Sequence, residues 1–345
     1  MRTLFRTIMM FIVVMTIYLI LTEPFDENKD EQNRISTTIE NETTLNTNQM
    51  PMTSLIGQSE EELMELYGKP TRIDPSFYGY DWWIYDQNER EYMQIGIQNN
   101  TVVTAYIIGE AINIEPFHIE QNISDIFSIT TPEPTIAVEY DGNYYRFELS
   151  EEDMNIRPLI DMDGVFVQLY LDRYTGKLSS VRMMNAETLI KLRPYEVVYR
   201  GELVSPERVN KEQLRMIERG QEKQIFDVTN IIRKRHQLRK LIWDEDTAKV
   251  AYGHSKDMSE EHYFSHHSSK HGSLGNRLEK GAVSYELAGE NIAAQYIDGL
   301  AAVEGWLNSE GHRKMLLEKN FTHIGVGVYN KYYTQNFVKK SKKES

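Results

Sequence analysis

Imidazole and carboxylate side chains gather in the last third of this chain, where between them they can ligate a divalent cation, move protons or grip a polar ligand. Spacing from Thr247 sets Val250, His254 and Met258 on one helical stripe at i, i+4 and i+8, with Ala251 and Ser255 beside it, so His254 is expected to face inward. Taken alone, such a histidine is a satisfied core residue. Four more, His262, His266, His267 and His271, crowd a segment that ends in Gly272, and Gly289-Glu290-Asn291 interrupts an apolar stretch between two helical patterns. A polar pair behind glycine suits a loop held by backbone hydrogen bonds. His312 follows in Ser309-Glu310-Gly311-His312-Arg313, where a further helical turn starts.

The chain has no cysteine, which removes thiolate metal sites, thiol nucleophiles and disulfides. It also lacks a His-Glu-x-x-His helix and a Gly-x-Ser-x-Gly elbow, so no complete catalytic signature is present.

The elements that must position these groups are legible nearby. A helix over 300–307 buries Ala302, Val303, Trp306 and Leu307, while Ile324-Gly325-Val326-Gly327-Val328 and Tyr333-Thr334-Gln335-Asn336-Phe337 alternate as the strands of an antiparallel hairpin. Upstream, 211–241 is charged with Ile225, Val228 and Ile232 at helical spacing, and Ser205-Pro206-Glu207 reads as a helix start.

Residues 55–197 read as an α+β domain of two tandem helix-plus-strands units, about 55–115 and 116–197. Ser59 with Glu62 forms a capping-box pattern, and Trp82-Trp83-Ile84-Tyr85 is matched in the second copy by Tyr144-Tyr145-Arg146-Phe147. Met93-Gln94-Ile95-Gly96-Ile97 and Val167-Gln168-Leu169-Tyr170-Leu171 alternate about one shared glutamine. The cluster Tyr78, Tyr80, Trp82, Trp83 and Tyr85 suits either a carbohydrate-stacking face or a strand packed on both sides, and the second is the ordinary outcome.

Arg2 and Arg6 precede an apolar run over 8–21, and Glu23, Asp26, Glu27, Asp30 and Glu31 follow it, so charge asymmetry directs the remainder out of the cytoplasm. Without a small-x-small site the run reads as an uncleaved anchor over 1–22, a single-pass membrane attachment; secretion after cleavage is the alternative. A polar tether over 23–54 comes next, rich in Asn, Thr and Glu. A linker helix over 198–223 precedes the C-terminal domain at 224–338, and a basic tail closes the chain at 339–345. The formal charge of −14 argues against a nucleic-acid partner.

Six or seven blocks of the C-terminal third resemble the CAP superfamily of cysteine-rich secretory, antigen 5 and pathogenesis-related proteins in order and identity. They are Leu241-Ile242-Trp243-Asp244, His254-Ser255-Lys256-Asp257-Met258, Tyr263-Phe264-Ser265-His266, Gly289-Glu290-Asn291-Ile292-Ala293, the run from Trp306 through His312-Arg313, Ile324-Gly325-Val326-Gly327 and Tyr333-Thr334-Gln335. The resemblance implies an α-β-α sandwich with a central antiparallel sheet, so the chain as a whole is expected to be α+β. The region before it is similar to the CAP-associated N-terminal domain of some spore-forming Gram-positive bacteria.

In that family a cleft lined by two histidines and two acidic residues can hold a divalent metal. His254 and Glu290 match the pattern; the second acidic position falls near His266, Tyr332 replaces the histidine before Tyr-Thr-Gln, and His312 stands in for it. The resemblance therefore implies a cleft of His254, His266, Glu290 and His312, with zinc on His254, Glu290 and His312 as the metal expectation. Two functions are compatible with it. One is an envelope recognition module for a wall, lipid or protein ligand; the other is a metal-dependent hydrolase, its alternative catalytic residues Glu290 and His254, with Glu290 as general base if the histidines hold zinc.

Overall fold

The computed structural model describes residues 51–340 except 207. The apolar segment at 1–22, the tether up to 50 and the tail from 341 lie outside the described residues, none of whose helices is long and apolar enough to cross a membrane.

The end of the stretch read as tether belongs to the fold, because Met52 is buried with Leu55 against the first sheet. Helix α1 (Glu60–Tyr67) starts on the expected capping box, with the Ser59 side chain accepting from the Glu62 amide and Glu62 returning the bond. Strands β1 (Arg72–Pro75), β2 (Asp81–Tyr85), β3 (Met93–Gln98) and β4 (Thr101–Ile107) follow as an antiparallel meander. Next come α2 (Ile123–Ile129), β5 (Thr135–Tyr140), β6 (Asn143–Glu148), α3 (Glu151–Ile156), β7 (Leu159–Met162), β8 (Val165–Asp172), β9 (Lys177–Met184), α4 (Ala186–Leu192) and β10 (Glu196–Arg200).

These strands form a seven-stranded sheet in the order β1-β2-β3-β4-β9-β8-β7 and a separate three-stranded sheet, β10-β6-β5. The proposed counterpart of β2 is thereby corrected. Tyr144-Tyr145-Arg146-Phe147 lies in the small sheet, and the strand beside β8 that occupies the place of β2 beside β3 is β7. Aromatic content misleads the alignment; pairing position, which local sequence does not encode, is the discriminating feature. The shared glutamines do take matching roles, since buried Gln94 donates to the Tyr92 hydroxyl and buried Gln168 to that of Tyr195.

The aromatic strand β2 is buried on both faces. Trp83 packs with Leu63 and Ile126 beneath the first two helices, while Trp82 and Ile84 face the core that continues into the C-terminal half. No stacking face for a sugar is exposed there.

Helix α5 (Lys211–Arg235) is one continuous helix that runs across the expected boundary at 223/224. Its N-cap, Asn210, stands four residues beyond Pro206 and makes a reciprocal capping box with Gln213. Ser205 has Arg208 three residues on and cannot form one. β11 (Ile242–Trp243), α6 (Glu245–Glu260), α7 (Leu274–Lys280), β12 (Leu287–Ala294), α8 (Gly299–Leu307), α9 (Glu310–Leu316), β13 (His323–Tyr329) and β14 (Tyr332–Lys339) complete the chain. Their sheet runs β11-β13-β14-β12, antiparallel except for the short parallel pair β11–β13.

Helix α6 lies directly on β13 because Gly325 and Gly327 have no side chain; a Cβ on either would collide with the backbone of Ala248 or Tyr252. That close approach lets Ser255 reach the Gly327 carbonyl and the Thr334 hydroxyl, both at 2.8 Å. The first two residues of the expected basic tail belong to the fold: Lys339 ends β14, and Lys340 pairs with Asp244 at 2.9 Å.

The N-terminal and C-terminal halves share a core. Tyr106, Tyr170 and Met184 of the seven-stranded sheet pack in one cluster with Ile225, Val228, Val303 and Trp306. Polar bonds cross the same seam. Arg182 reaches Asp298 at 2.8 Å, Arg313 grips Asp172 with two bonds of 2.8 and 3.0 Å, and Arg72 bonds Asp227 at 2.9 Å.

Candidate functional site

Alternation along the edge strand β12 turns Glu290 toward α6 and α7 and Asn291 toward α5 and α9. Opposite them on β14 stand Asn336 and Gln335. On the far face Asn291 donates to the His312 carbonyl at 3.1 Å and to Gln335 at 3.2 Å, and Gln335 donates to Thr229 of α5 at 2.7 Å. Asn291 therefore fastens the α9 backbone to the sheet edge.

Glu290 is buried and receives four hydrogen bonds. Arg277, one turn into the Ser273-capped α7, donates Nη1 to Oε2 at 2.9 Å and Nη2 to Oε1 at 3.1 Å. His266 donates its Nδ1 proton to Oε1 at 2.9 Å, and the Asn336 amide, with its nitrogen toward the carboxylate, donates to Oε2 at 3.0 Å. Burial works to raise the Glu290 carboxyl, but the bonds from His266 and Arg277 and the Arg277 charge outweigh it and hold the group below the usual carboxylate range.

His254 is buried, as its helical stripe predicts. Its Nε2 proton goes to the Ser265 carbonyl at 3.0 Å, which fixes the tautomer and leaves the Nδ1 lone pair buried without a partner. Burial pushes its imidazole down to about 4 despite the Glu290 charge 3.9 Å away. His254 is thus neutral at physiological pH. It anchors the 261–272 loop, as does Asp257, which accepts from Tyr263 at 2.5 Å and Ser268 at 2.6 Å.

Of the crowded histidines, His266 reaches Glu290 and His271 stands 4.0 Å from Asp257, while His262 and His267 lie at the surface. His312 is half-buried, bonded through Nδ1 to the Ser309 hydroxyl at 2.9 Å, with its ring centroid 6.5 Å from that of His266. Burial, then the neighbouring His266, lowers its imidazole. All four expected cleft residues meet around the β12 edge. Tyr332 does not join them, because it pairs with Ala294, four residues or about 13 Å of strand away from Glu290.

The sequence reading misses Arg277, the partner that sets the character of the site. Its signal is slight: an arginine beside buried Leu278 on a short capped helix. Its presence weighs against the zinc expectation. A metal on Glu290 needs a carboxylate lone pair, and the guanidinium, His266 and Asn336 already occupy both oxygens. The His254 nitrogen nearest Glu290 is the protonated one bonded to Ser265. His254, Glu290 and His312 do not fit a metal in this arrangement, and no group of three or more His, Asp or Glu among the described residues is placed to hold one. Nor is Glu290 poised as a general base, since a carboxylate stabilised in its ionised form takes up a proton weakly. What the site can do is present the exposed His266 and half-buried His312 edges, held rigidly from beneath, to a polar ligand.

Comparison with known proteins agrees with this architecture. Residues 56–195 match the CAP-associated N-terminal family, and residues 226–339 match the cysteine-rich secretory protein family. The chain is 55% identical over 287 residues to the Uncharacterized membrane protein YlbC of Bacillus subtilis, covering 83% of each chain. An extracellular protein containing an SCP domain from Bacillus anthracis has a solved structure that superposes with a TM-score of 0.81 at 44% identity, over 92% of this chain and all of that one. A cysteine-rich secretory protein from Staphylococcus aureus superposes with a TM-score of 0.76 at 26% identity, over 85% of this chain and 94% of that one.

Proposed function

The chain belongs to the cysteine-rich secretory protein family and carries the CAP-associated N-terminal domain, and from that premise we propose that it is a membrane-tethered recognition module of the cell envelope. Its cleft around Glu290 binds an extracytoplasmic ligand and releases it unchanged. The observation that carries this reading is the saturated Glu290: its charge is neutralised by Arg277 and its oxygens are spent on four donors, so it shapes the cleft and does not activate water. The apolar run at 8–21 and its flanking charges supply the tether, and the names of the relatives, a membrane protein and an extracellular one, support the same placement.

The test uses the full chain in detergent micelles, titrated with soluble peptidoglycan fragments. Saturable binding that falls at least tenfold in His266→Ala/His312→Ala, with the fragments unchanged by mass spectrometry after overnight incubation, supports the proposal. Time-dependent cleavage that Glu290→Gln abolishes overturns it.

A further inference from the structure

A groove of about 520 Å³ lies on the opposite side of α6 from the cleft. Ala248 and Tyr252, which line it, are turned about 200° around the helix from Val250 and His254. Its floor is aromatic: Phe226 and Trp243 meet edge to face at 5.6 Å, and Tyr252 lies under the Arg215 guanidinium at 4.2 Å. Its wall is a cationic stripe of α5, Arg215, Arg219 and Lys223, at i, i+4 and i+8. Both halves of the molecule build it, because Arg72 of β1 closes one end.

Most charges in the groove are spent internally. Glu222 is bonded to Arg215 at 2.9 Å, and Asp227 to Arg72 at 2.9 Å. Glu245 accepts from the Trp243 indole at 3.0 Å, and Lys249 pairs with Asp246 at 2.9 Å. Arg219 and Lys223 are exposed, and no acidic group among the described residues pairs with either. The other three cations of the lining are each paired, Arg72 with Asp74 and Asp227, Arg215 with Glu218 and Glu222, and Lys249 with Asp246, on a chain whose formal charge is −14. Arg219 and Lys223 are left among the described residues as two neighbouring positive charges without an acidic partner, and against that background they draw anions to the groove.

We infer that this groove is a second ligand site that takes a phosphate-bearing polyol chain. The free charges of Arg219 and Lys223 stand one helical turn apart, about 6 Å along the axis, a span comparable to that between successive phosphates of a glycerol phosphodiester. Arg219 offers a planar fork to one phosphate and Lys223 a point charge to the next. The aliphatic faces of the polyol lie on Trp243 and Phe226.

The experiment is calorimetric titration of the full chain with oligomeric glycerol phosphate at 50 and 200 mM salt. Saturable binding that weakens with salt is expected. Arg219→Ala/Lys223→Ala should cut the affinity at least tenfold at 50 mM and flatten the salt dependence by one to two units of slope, roughly one for each phosphate no longer neutralised. Both side chains are exposed, so the melting temperature should hold, and Lys223→Glu should weaken binding further than Lys223→Ala. The inference is overturned if no saturable binding occurs or if the double variant binds like wild type. It is equally overturned if oligoglutamate of equal charge binds as tightly, or if only vesicles of phosphatidylglycerol bind and the soluble oligomer does not.

Discussion

Two glutamates buried in this molecule have opposite electrostatic fates. Glu290, in the cleft, meets a guanidinium and an imidazole and is held below the ordinary carboxylate range. Glu304, on α8 at the seam between the halves, meets hydroxyls: Tyr106 at 2.9 Å, Ser180 at 2.5 Å and Ser179 at 3.3 Å, all on Oε1, with Oε2 buried and unbonded. Burial raises its carboxyl, and those neutral donors do not offset it. The lesson is that burial does not decide ionisation. What decides it is whether the charged and polar donors together outweigh burial, as they do at Glu290; Asp227 on Arg72 and Glu222 on Arg215 have one cationic partner each and are still raised.

The harshest way to break the comparison is to remove the guanidinium beside Glu290. Arg277→Ala should cost about 3–5 kcal/mol in urea unfolding at pH 7, because it strands a buried carboxylate. Replacing both members, Arg277→Met with Glu290→Leu, should recover most of the loss. If the double replacement is as unstable as the single one, the pair is not acting as a unit.

A smaller effect comes from His254, the neutral neighbour of the pair. The unfolded chain binds a proton at this position below about pH 6.5, whereas the folded one resists until about pH 4. Stability should therefore fall as pH drops through that window, by up to about 3 kcal/mol. His254→Gln should flatten unfolding free energies measured across pH 7 to 4, and an unaltered slope would refute the assignment.

The seam gives the smallest effect and the opposite sign. As pH rises from acid, the unfolded chain releases the Glu304 proton before the folded one does, so stability falls with rising pH. Glu304→Gln should add about 1 kcal/mol at pH 8 and nothing at pH 4. Thermal melts at the two values check it; equal destabilisation at both would show that packing, not ionisation, dominates there.

Much of this site is legible in the sequence. A three-residue stripe points His254 inward, Ser59 and Glu62 announce a capping box that forms, and the two alternating strands near the C-terminus pair as a hairpin. Ordered motifs bring His266, Glu290 and His312 to one place. Which charges meet cannot be read there. Arg277 is one arginine among many until α7 folds against β12, and nothing in the local pattern marks it as the partner of Glu290. The counterpart of β2 is misplaced for a related reason, since aromatic content repeats locally while strand partners are chosen across the sheet.

By itself, then, the sequence determined many of the elements, the α+β class and the family, because periodicity, caps and ordered motifs are local properties of the chain. Tertiary structure alone decided that Glu290 faces a guanidinium and Glu304 only hydroxyls. It also decided that α5 crosses an expected boundary and that Arg219 and Lys223 are left free above an aromatic floor. Those outcomes depend on distances between residues remote in sequence, and electrostatic energies turn on such distances more steeply than on residue type.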